Sequence, residues 1–176
     1  MLACTGHAEP AGNDFPRELA VIRSRVEPRH VLTERVLLEL AELPRCLERC
    51  RPRILHIAAH SVDGAVFLAQ NAVPVSIRHG ALTHTIGLAR HRPAVVVLNF
   101  CDSIRLRNDI VRLGISALCW PSTANDTQCR ELADTLYRGL AAGLNIGDSL
   151  TDAHITLSRW DGLARPRLFG DGSITL

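Results

Sequence analysis

Two short apolar runs, rich in Val and Ile, constrain this chain more than any other feature. Ile54-Leu55-His56-Ile57-Ala58-Ala59 stops at His60-Ser61, and Val95-Val96-Val97-Leu98-Asn99-Phe100 stops at Cys101-Asp102-Ser103. Runs this short, with no polar alternation, are the pattern of parallel strands buried on both faces. In open α/β sheets the chemistry gathers outside the carboxyl ends of such strands. One run therefore delivers a histidine to that edge and the other a cysteine. A cysteine attacks as thiolate, and a nearby imidazole favours that form. The histidine and the cysteine are 101 − 60 = 41 residues apart. That is enough chain for a hairpin and a helix between the two strands.

The rest of the chain reads as an alternation of strands and helices. Residues 1–16 hold Gly, Pro, Asn and Asp without periodicity and are expected to be a loose tail, leaving 17–176 as one domain. Residues 19–23 can form a first strand. Residues 33–43 read as a helix with Thr33 as N-cap, broken by Pro44. Residues 65–69 and 73–77 flank Gln70-Asn71-Ala72 and predict a small hairpin near the site. A helix is expected from residue 76 or 77 to 90, another over 104–113 closed by Gly114, and a buried strand over 115–120. Cys129, Leu132, Ala133, Leu136, Tyr137 and Leu140 recur at helical spacing, and Ile146, Leu150, Ala153 and Leu157 suggest a last helix. The expected class is α/β, a mostly parallel sheet with helices on both faces.

Composition excludes several functions. The 176 residues fit one domain, and 47% hydrophobic residues supply a core. A net charge of +2 argues against nucleic acid as a dominant partner. Every basic residue is arginine, so neither a Schiff-base lysine nor a P-loop lysine is available. No apolar run is long enough to span a membrane, and the N-terminus shows no signal-peptide pattern. The six cysteines lack framework spacing, so a cytoplasmic chain with free thiols is the expectation.

The two strand ends also resemble the CHAT branch of the caspase-like cysteine proteases, a group related to caspases, separases and gingipains. Leu98-Asn99-Phe100-Cys101-Asp102-Ser103 matches that family's Leu-Asn-x-Cys-x-Ser pattern at every fixed position. The His-Gly pattern is met at His60, with Ser61 in place of the glycine. A third block, an Asp ahead of a helix carrying Phe-Tyr, Leu and Gly, is matched by Asp126, Leu136-Tyr137, Leu140 and Gly143, with Leu136 in place of the Phe. The resemblance runs from about residue 19 to the C-terminus. It implies a caspase-like fold, no cofactor, and cleavage of a protein or peptide substrate. Cys101 would be the nucleophile and His60 the base. The backbone N–H groups of Cys101 and Ser61 would hold the oxyanion. It also implies coupling to bacterial defence or regulatory systems, with a regulatory protein as a further partner.

Plainer readings exist for each residue. A cysteine late in a buried strand is usually core, as Cys119 is read to be. His56 shares a face with His60 and is expected to be a hydrogen-bonded interior residue. No CxxC or HExxH spacing supports a metal site from His56, His60 and Cys101. Asp102 would oppose the thiolate unless it faces solvent or a basic partner. Asn99 and Ser103 can satisfy backbone groups in the turn. Asp126 can cap its helix or bind a basic side chain in the substrate pocket; the second role predicts cleavage after Arg, then Lys. A catalytically inactive caspase-fold interaction module and a flavodoxin-type small-molecule domain are the rival functions. The missing Gly-rich first turn weighs against the latter.

Overall fold

Four strands buried at every residue make the centre of the computed structural model, which describes residues 1–7, 14–159 and 164–176. These are β1 (Leu2–Thr5), β3 (Ile54–Ala58), β7 (Val95–Asn99) and β8 (Ser116–Cys119). The short β2 (Thr33–Arg35) and β9 (Arg167–Phe169) flank them, giving a six-stranded sheet of order β2-β1-β3-β7-β8-β9. All pairings are parallel except β8 with β9. The unbroken apolar runs are explained by cover on both faces. Leu55, Ile57, Val96 and Leu98 pack with α2 (Leu43–Cys50), α3 (His79–Leu88) and α4 (Arg107–Arg112). Ile54, Val95, Val97 and Leu118 pack with α1 (Phe15–Val26), α5 (Asp126–Ala141) and α6 (Ile146–Leu157). The class is therefore the expected one, α/β with a mostly parallel sheet and helices on both faces.

The expected hairpin is present and gains a strand. β4 (His60–Val62), β5 (Ala65–Gln70) and β6 (Val73–Arg78) form a separate antiparallel sheet. Both turns place their two residues at positive φ: Asp63 at 50° and Gly64 at 78°, Asn71 at 52° and Ala72 at 61°. Such turns match the twist of the flanking strands. Pro74 sits opposite Ala69, a position one step from the turn-closing pair where the ladder needs no N–H. Gly6 lets β1 pass beneath this sheet. A Cβ there would lie 2.2 Å from the Phe67 carbonyl oxygen.

Four sequence expectations are corrected. Residues 2–5 are a fully buried strand between β2 and β3, so a loose tail does not describe them; residues 8–13 of that stretch lie outside the described residues. Residues 19–23 belong to α1, whose buried side chains Phe15, Glu18, Leu19, Ile22 and Val26 follow a helical period. Thr33 begins the edge strand β2, and Pro44 opens α2 instead of breaking a helix, because a proline at the first turn gives up an N–H that has no partner there. The segment after Cys101 begins as a 3₁₀ turn, Ser103–Leu106, before α4. Among the described residues no helix is long and apolar enough to cross a membrane.

Two substitutions check these assignments. Ala3→Asp would bury a charge in the sheet and should abolish a cooperative thermal melt, where a loose tail would tolerate it. Ala72→Gly should raise stability by about 0.5–1 kcal/mol, because only the alanine is strained at positive φ. Chemical denaturation reads the difference.

Candidate active site

The carboxyl ends of β3 and β7 converge on one cavity of about 280 Å³. His60, Cys101 and Asp126 all line it, with Glu18, Asn99 and Phe100 among their neighbours. His60 arrives because the chain leaves β3 and starts β4 at once; its ring tilts against Phe67 with centroids 5.5 Å apart. Cys101 arrives because β7 ends at Asn99 and the chain turns sharply. Asp102 adopts the left-handed conformation, φ 53°, which Asp tolerates better than most residues. Its side chain is exposed and lies 4.0 Å from Arg105, the solvent-facing place beside a basic partner expected of it. The Cys101 thiol donates to the Ala124 carbonyl at 3.5 Å, and the Ala124 N–H lies 3.4 Å from the sulfur. Among the described residues no hydrogen bond joins His60 to Cys101, and none takes up the Cys101 N–H.

The Ser61 amide is directed by register. Val62 pairs with Ala65 across the Asp63-Gly64 turn, and Ser61 pairs with Val66. In a two-residue hairpin the pair next to the turn exchanges both hydrogen bonds and the following pair exchanges none. The Ser61 N–H therefore points away from β5. β4 is the edge of its sheet.

Beneath the cavity lies a buried polar network. Glu18 Oε1 is 2.8 Å from His56 Nε2 and 2.6 Å from Asn99 Nδ2. His56 Nδ1 is 2.9 Å from the Tyr137 hydroxyl. Asn99 also donates to the Cys129 carbonyl and accepts from Trp120 Nε1 at 2.7 Å. A donor at Nε2 and an acceptor at Nδ1 satisfy both His56 partners, with Tyr137 donating. Burial, then the Glu18 charge, holds the Tyr137 phenol well above its ordinary pKa, which keeps its proton available for that bond. His56 is thus the interior residue expected from the sequence, and both its ring nitrogens are taken. Asn99 is tied to side chains deep in the network, beyond the turn role expected of it. Ser103 does serve the turn, donating to Leu98 and accepting from the Trp120 N–H.

Asp126 needs a correction. The N-cap of α5 is Asn125, which forms a reciprocal capping box with Gln128. Asp126 is the first helical residue, and its Oδ2 accepts from the Asp14 N–H at the start of α1. Cys119 is core as expected, with no exposed surface, and burial pushes its thiol up to about 12. Cys46 and Cys50 share α2.

Glu18 and His79 escaped the sequence reading. Glu18 would have stood out once residues 15–26 were read as a helix, since it is a carboxylate on the apolar stripe. His79 is a buried imidazole whose Nε2 lies 3.1 Å from Ser61 Oγ; nothing in its local sequence marks it.

Replacing Glu18 tests the network. Glu18→Ala leaves two buried donors without an acceptor and should cost about 3–5 kcal/mol. Glu18→Gln keeps an acceptor oxygen and should cost about half that, as read by urea midpoints. Comparison of the chain with protein-family models and with curated proteins finds no match.

Proposed function

We propose that the chain is a caspase-like cysteine endopeptidase domain. The observation that carries this reading is that His60 at the start of β4, Cys101 in the turn after β7 and Asp126 at the start of α5 line a single cavity. His60 would take the thiol proton, and the Cys101 thiolate would attack the scissile carbonyl to give a tetrahedral oxyanion. The Cys101 and Ser61 N–H groups would hold that oxygen. His60 would return the proton to the leaving amine, and water would hydrolyse the resulting thioester to free the acid and restore the thiol.

The cavity's lining supports a basic residue at P1. Among the described residues its acidic side chains are Glu18 and Asp126, and no arginine lines it. A carboxylate can take a guanidinium in a charge-assisted, bidentate pair. The preference for Arg, then Lys, is the reading favoured here.

The second reading, a catalytically inactive interaction module of the same fold, has one observation behind it. The sulfur bonds to the Ala124 backbone and not to His60. Catalytic hydrogen bonds are often loose before substrate binds, so the peptidase reading is preferred.

A fluorogenic peptide library, read with wild type and Cys101→Ala, separates the two. Cys101→Ala should lose all cleavage with its melting temperature unchanged; equal cleavage by both removes the enzyme. Asp126→Asn should lower kcat/KM for Arg at P1 by roughly 10–100-fold, the worth of a charged hydrogen bond of about 1.5–3 kcal/mol. Cleavage after Asp would overturn the specificity.

A further inference from the structure

His79 sits where it can set the geometry of both strand ends. It is the first residue of α3, directly after β6. Its backbone N–H donates to the Gly64 carbonyl at 3.1 Å, gripping the β4–β5 turn. Its Nε2 lies 3.1 Å from Ser61 Oγ. Its ring tilts over Phe100 with centroids 5.9 Å apart. One imidazole thus touches the residue after His60 and the residue before Cys101. It is buried, and its Nδ1 is a buried atom with no partner among the described residues. A nitrogen left unpaired inside a protein is costly, so the ring's place there calls for a reason other than its own hydrogen bonds.

We propose that His79 is a positioning residue, which holds Ser61 and Phe100 so that the Ser61 N–H stays aimed at the oxyanion beside Cys101. This rests on the peptidase reading. Ser61 replaces a glycine of the resembled family, and a side chain at that point must be accommodated without turning the His60–Ser61 peptide. The hydrogen bond to His79 does this by fixing Ser61 Oγ on the side away from the cavity. A Ser–His nucleophile pair is the other chemistry this contact suggests. It is disfavoured because neither residue lines the cavity and, among the described residues, no third group hydrogen-bonds to the ring's other nitrogen. Burial, reinforced by Arg105 and opposed by Asp102, lowers the His79 pKa. The ring therefore stays uncharged at neutral pH, and its Nε2 can accept a hydrogen bond from the Ser61 hydroxyl.

The test uses the whole chain with variants Ser61→Ala, His79→Phe, His79→Gln and the double variant Ser61→Ala/His79→Phe. The substrate is the best peptide from the library. His79→Phe keeps the ring on Phe100 and loses the bond; His79→Gln can restore the bond. Ser61→Ala and His79→Phe should each lower kcat by roughly 10–100-fold with KM unchanged, as misaimed oxyanion donors do. The double variant should be no slower than the worse single one, because both remove one interaction. His79→Gln should recover most of the rate. Melting temperatures identify a variant that fails to fold, and Ser61→Ala, which removes one oxygen, then carries the measurement. An active wild type with kcat unchanged in Ser61→Ala and His79→Phe overturns the positioning role alone. A wild type that cleaves nothing, or a Cys101→Ala chain that cleaves equally, overturns the peptidase reading and this proposal with it.

Discussion

The Glu18 carboxylate lies at the base of the cavity, almost wholly out of water, and four elements meet through it. It arrives on α1 and accepts from His56 on β3 and from Asn99 at the end of β7. His56 in turn meets Tyr137 on α5, and Asn99 meets Trp120 just past β8. A buried carboxylate is tolerated only when its oxygens are satisfied. This requirement ties the helical layer to the sheet at the level of the strand ends. The mouth of the cavity stands on that network. Asn99 is two residues before Cys101, and any shift in its side chain would move the end of the strand that leads to Cys101. Such a network is a costly way to stabilise a fold compared with apolar packing, but it admits few alternative arrangements.

Above this floor, the two loops that carry His60 and Cys101 are set by backbone constraints. Asp102 in the left-handed region turns the chain three residues past the end of β7. On the other side, β3 passes straight into β4, and the tight Asp63-Gly64 turn fixes the ladder so that Ser61 faces the edge with its N–H outward. Neither loop has slack. The site therefore sits on strand ends and a short hairpin, which hold a geometry better than long loops do. Asp126 contributes by joining the starts of α5 and α1 through the Asp14 N–H, closing the cavity on its far side.

Much of this was legible in the residues. The unbroken apolar runs at 54–59 and 95–100 required burial on both faces, and burial on both faces required a parallel sheet with two helical layers. The endings of those runs carried His60 and Cys101 to the same edge. The Gln70-Asn71-Ala72 segment, flanked by apolar residues, announced the hairpin of β5 and β6; the added strand β4 was not foreseen. The helix at 126–141 was visible from its period. These features are local: each depends on side-chain pattern within a dozen residues, and pattern at that range is what decides whether a segment forms a strand or a helix.

The remainder was decided by tertiary structure. Leu2–Thr5 is too short for its pattern to be told from a tail; it becomes a strand because β2 and β3 supply partners on both sides. Thr33–Arg35 becomes an edge strand because β1 offers it a parallel partner on one side, against its local helix signals. Asp126 looks like a cap in sequence, and Asn125 takes the role because the chain's path leaves its side chain over the first free N–H groups. Glu18 and His79 matter through partners 38 and 18 residues away. Sequence by itself determined the class of the sheet and the two residues at its edge. Only the folded chain decided which buried polar groups meet there, because hydrogen bonds between distant residues depend on where strands and helices stop, and no local pattern encodes that.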